Sequence, residues 1–498
     1  MLSIDVFLPY ESWQQVQPTY NEMMKYSHVR HLFLMNDLSD HVFPAEADRQ
    51  KVELLPVQHL FSTETMHKIA AAASADYLLL YLKSQPLKLG YLALERMLQI
   101  ADDTQAGMLY CDAFRLKEGN LTKHPLIDYQ LGSLRDDFDF GSLLLFKTAA
   151  FQQAVNEMTE TYQWAGWYDL RLRLSQHEPI EHLNELLYTE IETDVRKSGE
   201  KLFDYVDPKN RQRQLEMEKA CTAHLQAIGA FLPPDFDEIS FDETDFSVEA
   251  SVIIPVYNRA KTIADAVESA LNQKTTFPYN VIVIDNHSTD GTTEILRRYK
   301  DEPRLLHLIP ERMDLGIGGC WNVGVDQPQC GKFAVQLDSD DVYNDENTLQ
   351  IMVDAFYQQQ CGMVVGSYRM TNFQMETIPP GIIDHLEWTD ENGRNNALRI
   401  NGFGAPRAFY TPLLRKWHIP NTSYGEDYAL GLKFSRTHRI GRVYDVVYSC
   451  RRWDDNSDAA LDVDKMNQHN VYKDRIRSWE IKARQHLNAQ RKTFKFRS

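Results

Sequence analysis

Long apolar runs are missing from this chain. No stretch approaches the roughly 18–20 residues that a membrane-crossing helix requires. The amino-terminal MLSIDVFLPY carries no basic leader, so it does not read as a signal peptide. Cysteine is sparse as well. The six (Cys111, Cys221, Cys320, Cys330, Cys361 and Cys450) lie far apart with no CxxC pair, which excludes a zinc knuckle and fits free thiols in a reducing compartment. Positive charge is in deficit: 53 Lys and Arg against 71 Asp and Glu leave a net charge of −18, which sets nucleic acid aside as the main partner. The expected location is cytoplasmic. What remains is an ordinary globular composition, 43% hydrophobic and 25% charged over 498 residues, long enough for two or three domains.

Strand-like and helix-like stretches alternate through most of the chain, which predicts an α/β class with largely parallel sheets. Residues 249–300 show the alternation best: ASVIIPVYN, then TIADAVESALNQ with apolar residues at helical spacing, then YNVIVIDN, a turn at STDGT and a helix TTEILRRYK. Residues 208–229 read as a helix closed by Gly229. The segment 230–248, with Pro233-Pro234 and scattered Phe among Asp and Glu, reads as an acidic interdomain linker. The expected organisation is therefore a domain at 1–229, the linker, a second domain at 249–470 and a basic helical tail at 471–498.

An internal repeat connects the two halves. KFAVQLDSDD (332–341) lies over YLLLYLKSQP (77–86), with Lys83 opposite Asp338. At the same spacing Gly107-Met108 falls on Gly362-Met363. Further on, YDLRLRLSQHEPIEHLNELLY (168–188) aligns without gaps on YALGLKFSRTHRIGRVYDVVY (428–448), with Tyr168/Tyr428, Ser175/Ser435 and Tyr188/Tyr448 identical. Leu134-Arg135 with Phe140-Gly141 echoes Leu398-Arg399 with Phe403-Gly404. Duplication explains these matches in consistent order; two unrelated α/β domains of similar composition are the alternative.

Carboxylates in the second half end up where chemistry is usually done. DSDD at 338–341 follows a buried strand, so its side chains sit at a strand's carboxyl end. Other Asp-x-Asp spellings, at 137–139, 235–237 and 462–464, lack that context. Two such carboxylates can hold one hard divalent cation and leave sites for phosphate oxygens; the plain alternative is a solvated Asp-rich turn. VIIPVYNR ends a strand on Pro255, Tyr257 and Asn258, and VIVIDNHSTDGT ends another on Asp285. SYGEDYALGL places Glu426 and Asp427 at the start of a helix, where the macrodipole alone also favours acids.

VIIPVYN, VIDNHSTDGT, QLDSDD and GED, in this order over roughly residues 249–455, resemble the family 2 glycosyltransferases of the GT-A fold. The resemblance implies two tandem GT-A domains, nucleotide-diphospho-sugar transferase-like, with the second intact and the first degenerate. It implies an inverting transfer from a nucleotide sugar, UDP-linked by expectation, to a hydroxyl of a growing cell-surface glycan or lipid-linked glycan. In that family's terms Pro255, Tyr257, Asn258 and Asp285 hold base and ribose. Asp338 meets the ribose or a metal-bound water, Asp340 binds Mn²⁺ or Mg²⁺ with Asp338 nearby, and Asp427, beside Glu426, is the general base.

The sequence departs from the family pattern at Asn286-His287-Ser288, and at Trp321, where an arginine often lies near the diphosphate. Ser449-Cys450-Arg451-Arg452-Trp453 stands where processive synthases carry Gln-x-x-Arg-Trp; Arg452 and Trp453 are then expected near the donor phosphates, without processivity. Across the repeat, Lys83 and Gln85 replace Asp338 and Asp340, and Gly166-Trp167 replace Glu426-Asp427, so the first half is expected to be silent and kept for packing, acceptor binding or dimerisation. In the tail, Ile476, Trp479, Ala483 and Leu487 recur at helical spacing, predicting a helix docked on the protein or, less simply, on the inner face of a membrane. Two rival functions remain at this level. A sugar-phosphate nucleotidyltransferase wants a Gly-rich basic loop after the first strand, which VIIPVYNRAK lacks; a silent carbohydrate-binding scaffold does not need the intact acidic set.

Overall fold

The computed structural model describes residues 2–36, 43, 47–192, 210–242, 245–453 and 461–495. The chain divides into two compact units, one of Met1–Lys197, Arg211–Phe231 and Leu461–Ile481, the other of Ser198–Asn210, Leu232–Ala460 and Lys482–Ser498.

In the first unit the strands are β1 (Ile4–Pro9), β2 (Val29–Asn36), β3 (Val52–Pro56), β4 (Tyr77–Tyr81), β5 (Lys88–Leu89), β6 (Met108–Lys117), β7 (Asn120–His124), β8 (Leu143–Lys147) and β9 (Ile180–Ile191). They form one sheet in the order β3-β2-β1-β4-β8-β6-β9-β5, with β7 against β6. The second unit has β10 (Ala250–Val256), β11 (Tyr279–Asp285), β12 (Leu305–Leu308), β13 (Phe333–Gln336), β14 (Val342–Tyr343), β15 (Met363–Thr371), β16 (Thr377–Ile383), β17 (Arg407–Tyr410) and β18 (Ile440–Arg451). Their order, β12-β11-β10-β13-β17-β15-β18-β14 with β16 against β15, is the same permutation. Both sheets are α/β and mixed: four parallel strands at one side, then an antiparallel strand inserted at β8 and at β17. The inner strands are continuous apolar runs because helices cover both faces; Val252, Ile253, Ile254, Leu78, Leu79 and Leu80 are all fully buried.

The repeat holds down to single hydrogen bonds. Gly107 N–H donates to Pro179 O and Gly362 N–H to Arg439 O, each at 3.0 Å. Ser175 and Ser435 each return their hydroxyl to the carbonyl three residues earlier, Leu172 and Leu432. Residues identical across the repeat therefore keep the same work in both sheets, which is what duplication of one GT-A fold produces.

Two sequence expectations are corrected here. Residues 230–248 were expected to form a linker, yet Ala230 and Leu232 are fully buried, and Asn395 brackets Leu232 by accepting from its N–H and donating to its carbonyl. Phe241 inserts among Phe333, Tyr357 and Tyr410, with ring centroids 5.5, 5.2 and 5.1 Å away. The aromatic residues scattered between the acids are inward anchors, so the segment is a strap on the second unit; residues 243–244 lie outside the described ones. The tail helix runs Val463–Lys495 and begins before residue 471. Its buried face mixes apolar and charged residues: Ile476 and Ile481 are buried, Trp479 is 56% exposed, and Asp474, Arg477 and Arg484 are fully buried. Asp474 accepts from Ser133 Oγ at 2.9 Å and pairs with Arg477 at 2.9 Å in the first unit. In the second unit Arg484 donates to the Arg394 carbonyl at 2.8 Å. Buried charge satisfied by buried partners defeats a reading by apolar periodicity. Among the described residues no helix is long and apolar enough to cross a membrane.

Candidate active site

Three strands and one helix of the second unit converge their ends on one acidic group. β13 runs out into Asp338, Ser339, Asp340 and Asp341; β17 begins at Arg407; the helix Glu426–Thr437 begins on the two acids; β18 ends at Arg451. Asp338 is fixed at both ends: its N–H donates to the Tyr448 hydroxyl at 3.0 Å, and its Oδ1 accepts from Gln336 Nε2 at 2.8 Å. Gln336 uses its other side-chain atom, Oε1, to accept from Arg407 N–H at 3.1 Å. Asp341 Oδ1 accepts from Arg451 N–H at 2.8 Å, while Arg451 Nε donates to the Asp340 carbonyl at 2.6 Å and its Nη1 pairs with Asp265 at 2.7 Å. Arg451 thus pins the DSDD turn at its end. Arg452, the arginine expected at the phosphates, has its backbone N–H on the Thr371 carbonyl at 2.7 Å.

Arg407 is the residue the sequence reading missed. Its Nη1 lies 2.6 Å from Asp427 Oδ2 and donates to Gly404 O at 2.9 Å. Burial works against its charge, and the Asp427, Asp338 and Glu426 carboxyls more than offset that. Among the described residues Glu426 Oε2 is buried without a hydrogen-bond partner, and burial, then the neighbouring Asp427, pushes its pKa up to about 8. Burial also raises Asp338, with Asp340 and Asp427 adding to the shift against Arg407, and raises Asp341 strongly, with Asp340 and Asp338 adding to it.

This is a crowd of carboxyls short of positive charge, which is the chemistry of a site that accepts a cation. Among the described residues, however, no group of three or more Asp, Glu, His or Cys side chains is arranged to hold a metal ion by itself. A divalent ion that rests on Asp338 and Asp340 and completes its shell with water and phosphate oxygens fits both observations.

Positive charge reaches the DSDD turn from the loop after β10. Arg259 Nε lies 3.6 Å from Asp340 Oδ2, and Trp453 Nε1 lies 3.5 Å from the same oxygen. Trp453 in turn carries the Arg259 guanidinium at 5.9 Å and the Lys261 ammonium at 5.6 Å over its ring. Trp321, where the family often has an arginine, is buried and packs edge-on against Phe409. VIIPVYNRAK itself thus brings positive charge to the DSDD turn and Trp453.

The residues expected to hold the base behave differently from one another. Pro255 lies within β10 and Tyr257 is 57% exposed beyond its end. Asn258, at φ 53°, spends its Oδ1 on Thr289 N–H at 2.8 Å, and its own N–H donates to Ser288 Oγ at 3.0 Å, stitching loop 257–262 to loop 286–293. Asp285 is fully buried. It accepts from Ser288 N–H at 3.0 Å, Thr293 Oγ1 at 2.5 Å and, from His307 Nε2, at 3.4 Å. Burial opposes its charge, but these donors outweigh it and hold it well below the usual carboxylate range. In this conformation Asp285 shapes the turn and shows no oxygen to a ligand.

Residues 251–412 match the family model described as Glycosyl transferase family 2. Residues 251–412 form a family 2 glycosyltransferase domain. The chain is similar to AglE of Haloferax volcanii, 38% identical over 93 residues (18% of this chain, 30% of that one). The poly(ribitol-phosphate) β-N-acetylglucosaminyltransferase TarS of Staphylococcus aureus is 37% identical over 99 residues (19% and 17%). Chondroitin synthase of Escherichia coli is 27% identical over 242 residues (47% and 33%). The chain spans at most 49% of the length of the first curated relatives it matches. Among solved structures, TarS 1–349 in complex with UDP is similar at a TM-score of 0.36 and 21% identity, covering 47% of this chain and 65% of that one.

Proposed function

We propose that the glycosyltransferase domain moves a hexosyl or N-acetylhexosaminyl group from a UDP-sugar to a hydroxyl of a cell-surface polysaccharide, with inversion. The observation that carries this reading is the Asp338–Arg407–Asp427 cluster: donor-side and acceptor-side carboxylates share one buried guanidinium at a strand end. In a single displacement the acceptor oxygen bonds to the anomeric carbon as the bond from that carbon to the diphosphate breaks, and the acceptor proton passes to Asp427 Oδ2. Asp340 and Asp338 are the residues that would hold Mn²⁺ or Mg²⁺, and that ion would supply neutralisation of the diphosphate leaving group. Arg259 and Lys261, beside Trp453, add positive charge on the same side. Glu426, the carboxyl pushed up to about 8, keeps a proton and serves as a hydrogen-bond donor toward the acceptor. The names of TarS, a poly(ribitol-phosphate) β-N-acetylglucosaminyltransferase, and of chondroitin synthase support a polymeric acceptor.

The test is transfer and donor hydrolysis across a panel of nucleotide sugars with Mn²⁺. Asp340→Ala and Asp427→Asn are each expected to lower turnover by about 10²–10⁴-fold. Unchanged turnover in Asp427→Asn removes that residue as the base; no turnover by the wild type with any donor favours a carbohydrate-binding scaffold instead.

A further inference from the structure

Asp340, expected to meet a divalent ion, turns its Oδ2 toward two other groups. Arg259 Nε stands 3.6 Å from it and Trp453 Nε1 stands 3.5 Å from it. The backbone of Arg259 is fixed. Its N–H donates to Thr292 Oγ1 at 2.8 Å, and its carbonyl accepts from the N–H groups of Thr262 and Ile263 at 3.0 and 2.9 Å. The guanidinium is held more lightly, by Asp340, by a bond of 3.2 Å from Nη1 to the Asn258 carbonyl, and by the Trp453 ring 5.9 Å away. Trp453 itself rests edge-on against Phe373, with ring centroids 5.2 Å apart. The charge is thus carried at the tip of a long side chain that is anchored at its base.

Two cations compete for one carboxylate oxygen. A divalent ion in contact with Asp340 Oδ2 would stand against the guanidinium and repel it. A diphosphate removes the conflict, because it offers the guanidinium fork an anion of matching geometry beside the same carboxylate. We propose that Arg259 is a counter-ion that changes partner, from Asp340 to the donor's diphosphate, and that this exchange makes the divalent ion and the nucleotide bind as a coupled pair. The inference rests on the reading that a nucleoside diphosphate and a divalent ion meet at Asp340. Reciprocity follows: the factor by which the nucleotide tightens ion binding is the factor by which the ion tightens nucleotide binding. Lys261 is the natural comparison, since its ammonium lies over the same Trp453 ring at 5.6 Å and brings equal charge to the ring rather than to the carboxylate.

The experiment is Mn²⁺ binding to the full chain by electron paramagnetic resonance, without nucleotide and with UDP or GDP. The site is the part of the binding that Asp340→Ala removes. In the wild type one nucleotide is expected to tighten Mn²⁺ binding by about tenfold or more. Arg259→Gln should tighten nucleotide-free Mn²⁺ binding about tenfold and reduce the nucleotide's effect to about threefold or less. Arg259→Lys, which keeps the charge but loses the fork, should fall between the wild type and Arg259→Gln in both measurements. Lys261→Gln should change nucleotide-free Mn²⁺ binding by about threefold at most, because solvent screens a charge that is off the carboxylate. Three results overturn the proposal alone: no effect of either nucleotide on Mn²⁺ binding in the wild type, nucleotide-free binding unchanged in Arg259→Gln, or an equal gain in Lys261→Gln. A wild type that binds neither nucleotide at saturating Mn²⁺, by calorimetry, overturns the transfer reading as well.

Discussion

Glu426 and Asp427 are adjacent in the chain and differ in what surrounds them. Asp427 faces a guanidinium, whereas Glu426 faces buried space and Asp427 itself. A carboxyl raised from 4.5 to about 8 on folding binds its proton more tightly in the native state. Its contribution to stability is therefore fully present below the lower value and is lost as pH rises toward the upper one. Glu426→Gln is expected to flatten the fall in melting temperature across that window, and equal slopes for variant and wild type would refute the assignment. Arg407→Met leaves Asp338, Asp427 and Glu426 crowded with no cation among them. Unfolding free energy should drop by about 3–5 kcal/mol by denaturant titration, with Arg407→Lys recovering part of it. The acids of this cluster were legible in the sequence because each ends a strand or opens a helix. Arg407 was not, since nothing in GAPRAFY marks it off from a surface arginine. Arg451 and Arg452 illustrate the same limit: neighbours at a strand end turn to opposite sides, and β18 carries register shifts that scramble the parity.

At the level of elements, the strand end that holds the acidic crowd in one unit holds an ion-pair knot in the other. Lys83, just beyond β4, reaches Glu190 on β9, which is fully buried and also accepts from Arg115 Nε on β6 at 2.7 Å and from the Ser142 hydroxyl. Arg115 extends the knot to Asp139 at 3.3 Å and Glu192 at 3.2 Å. Glu190→Ala should cost about 3–5 kcal/mol, because it takes the carboxylate from Lys83 and one of three from Arg115; denaturant unfolding of the full chain reads this out as an earlier transition of the first unit. The alternation of strands and helices followed from apolar runs and helical periods; the strand order, and the antiparallel strands β8 and β17 where largely parallel sheets were expected, did not. The strap 230–242 and the buried polar face of helix Val463–Lys495 did not, because their burial depends on partners far away in sequence rather than on any local period.

For the whole molecule, one sheet topology serves two edges with different chemistry. Restoring the carboxylates by Lys83→Asp with Gln85→Asp is expected to give no transfer in an Asp427→Asn background, measured with the donor panel. The position of Glu426-Asp427 is taken by Gly166-Trp167, and Gly166 packs so tightly that a Cβ there would lie 2.2 Å from Thr63 N. Trp167 is fastened too, its N–H on Phe61 O at 3.1 Å and its ring against Phe146 at 5.8 Å. Any turnover above background in that variant would show that the first unit can still be armed.

The buried face of the tail helix also sets the order in which the chain can mature. The loop at Gly132 and Ser133 is closed by Ser478 and Asp474, and a Cβ at Gly132 would lie 2.2 Å from the Asp474 carbonyl oxygen. During synthesis neither unit can be completed before the tail helix emerges: the first waits for Leu461–Ile481 and the second for Lys482–Ser498. A nascent chain halted before that helix carries two unfinished units.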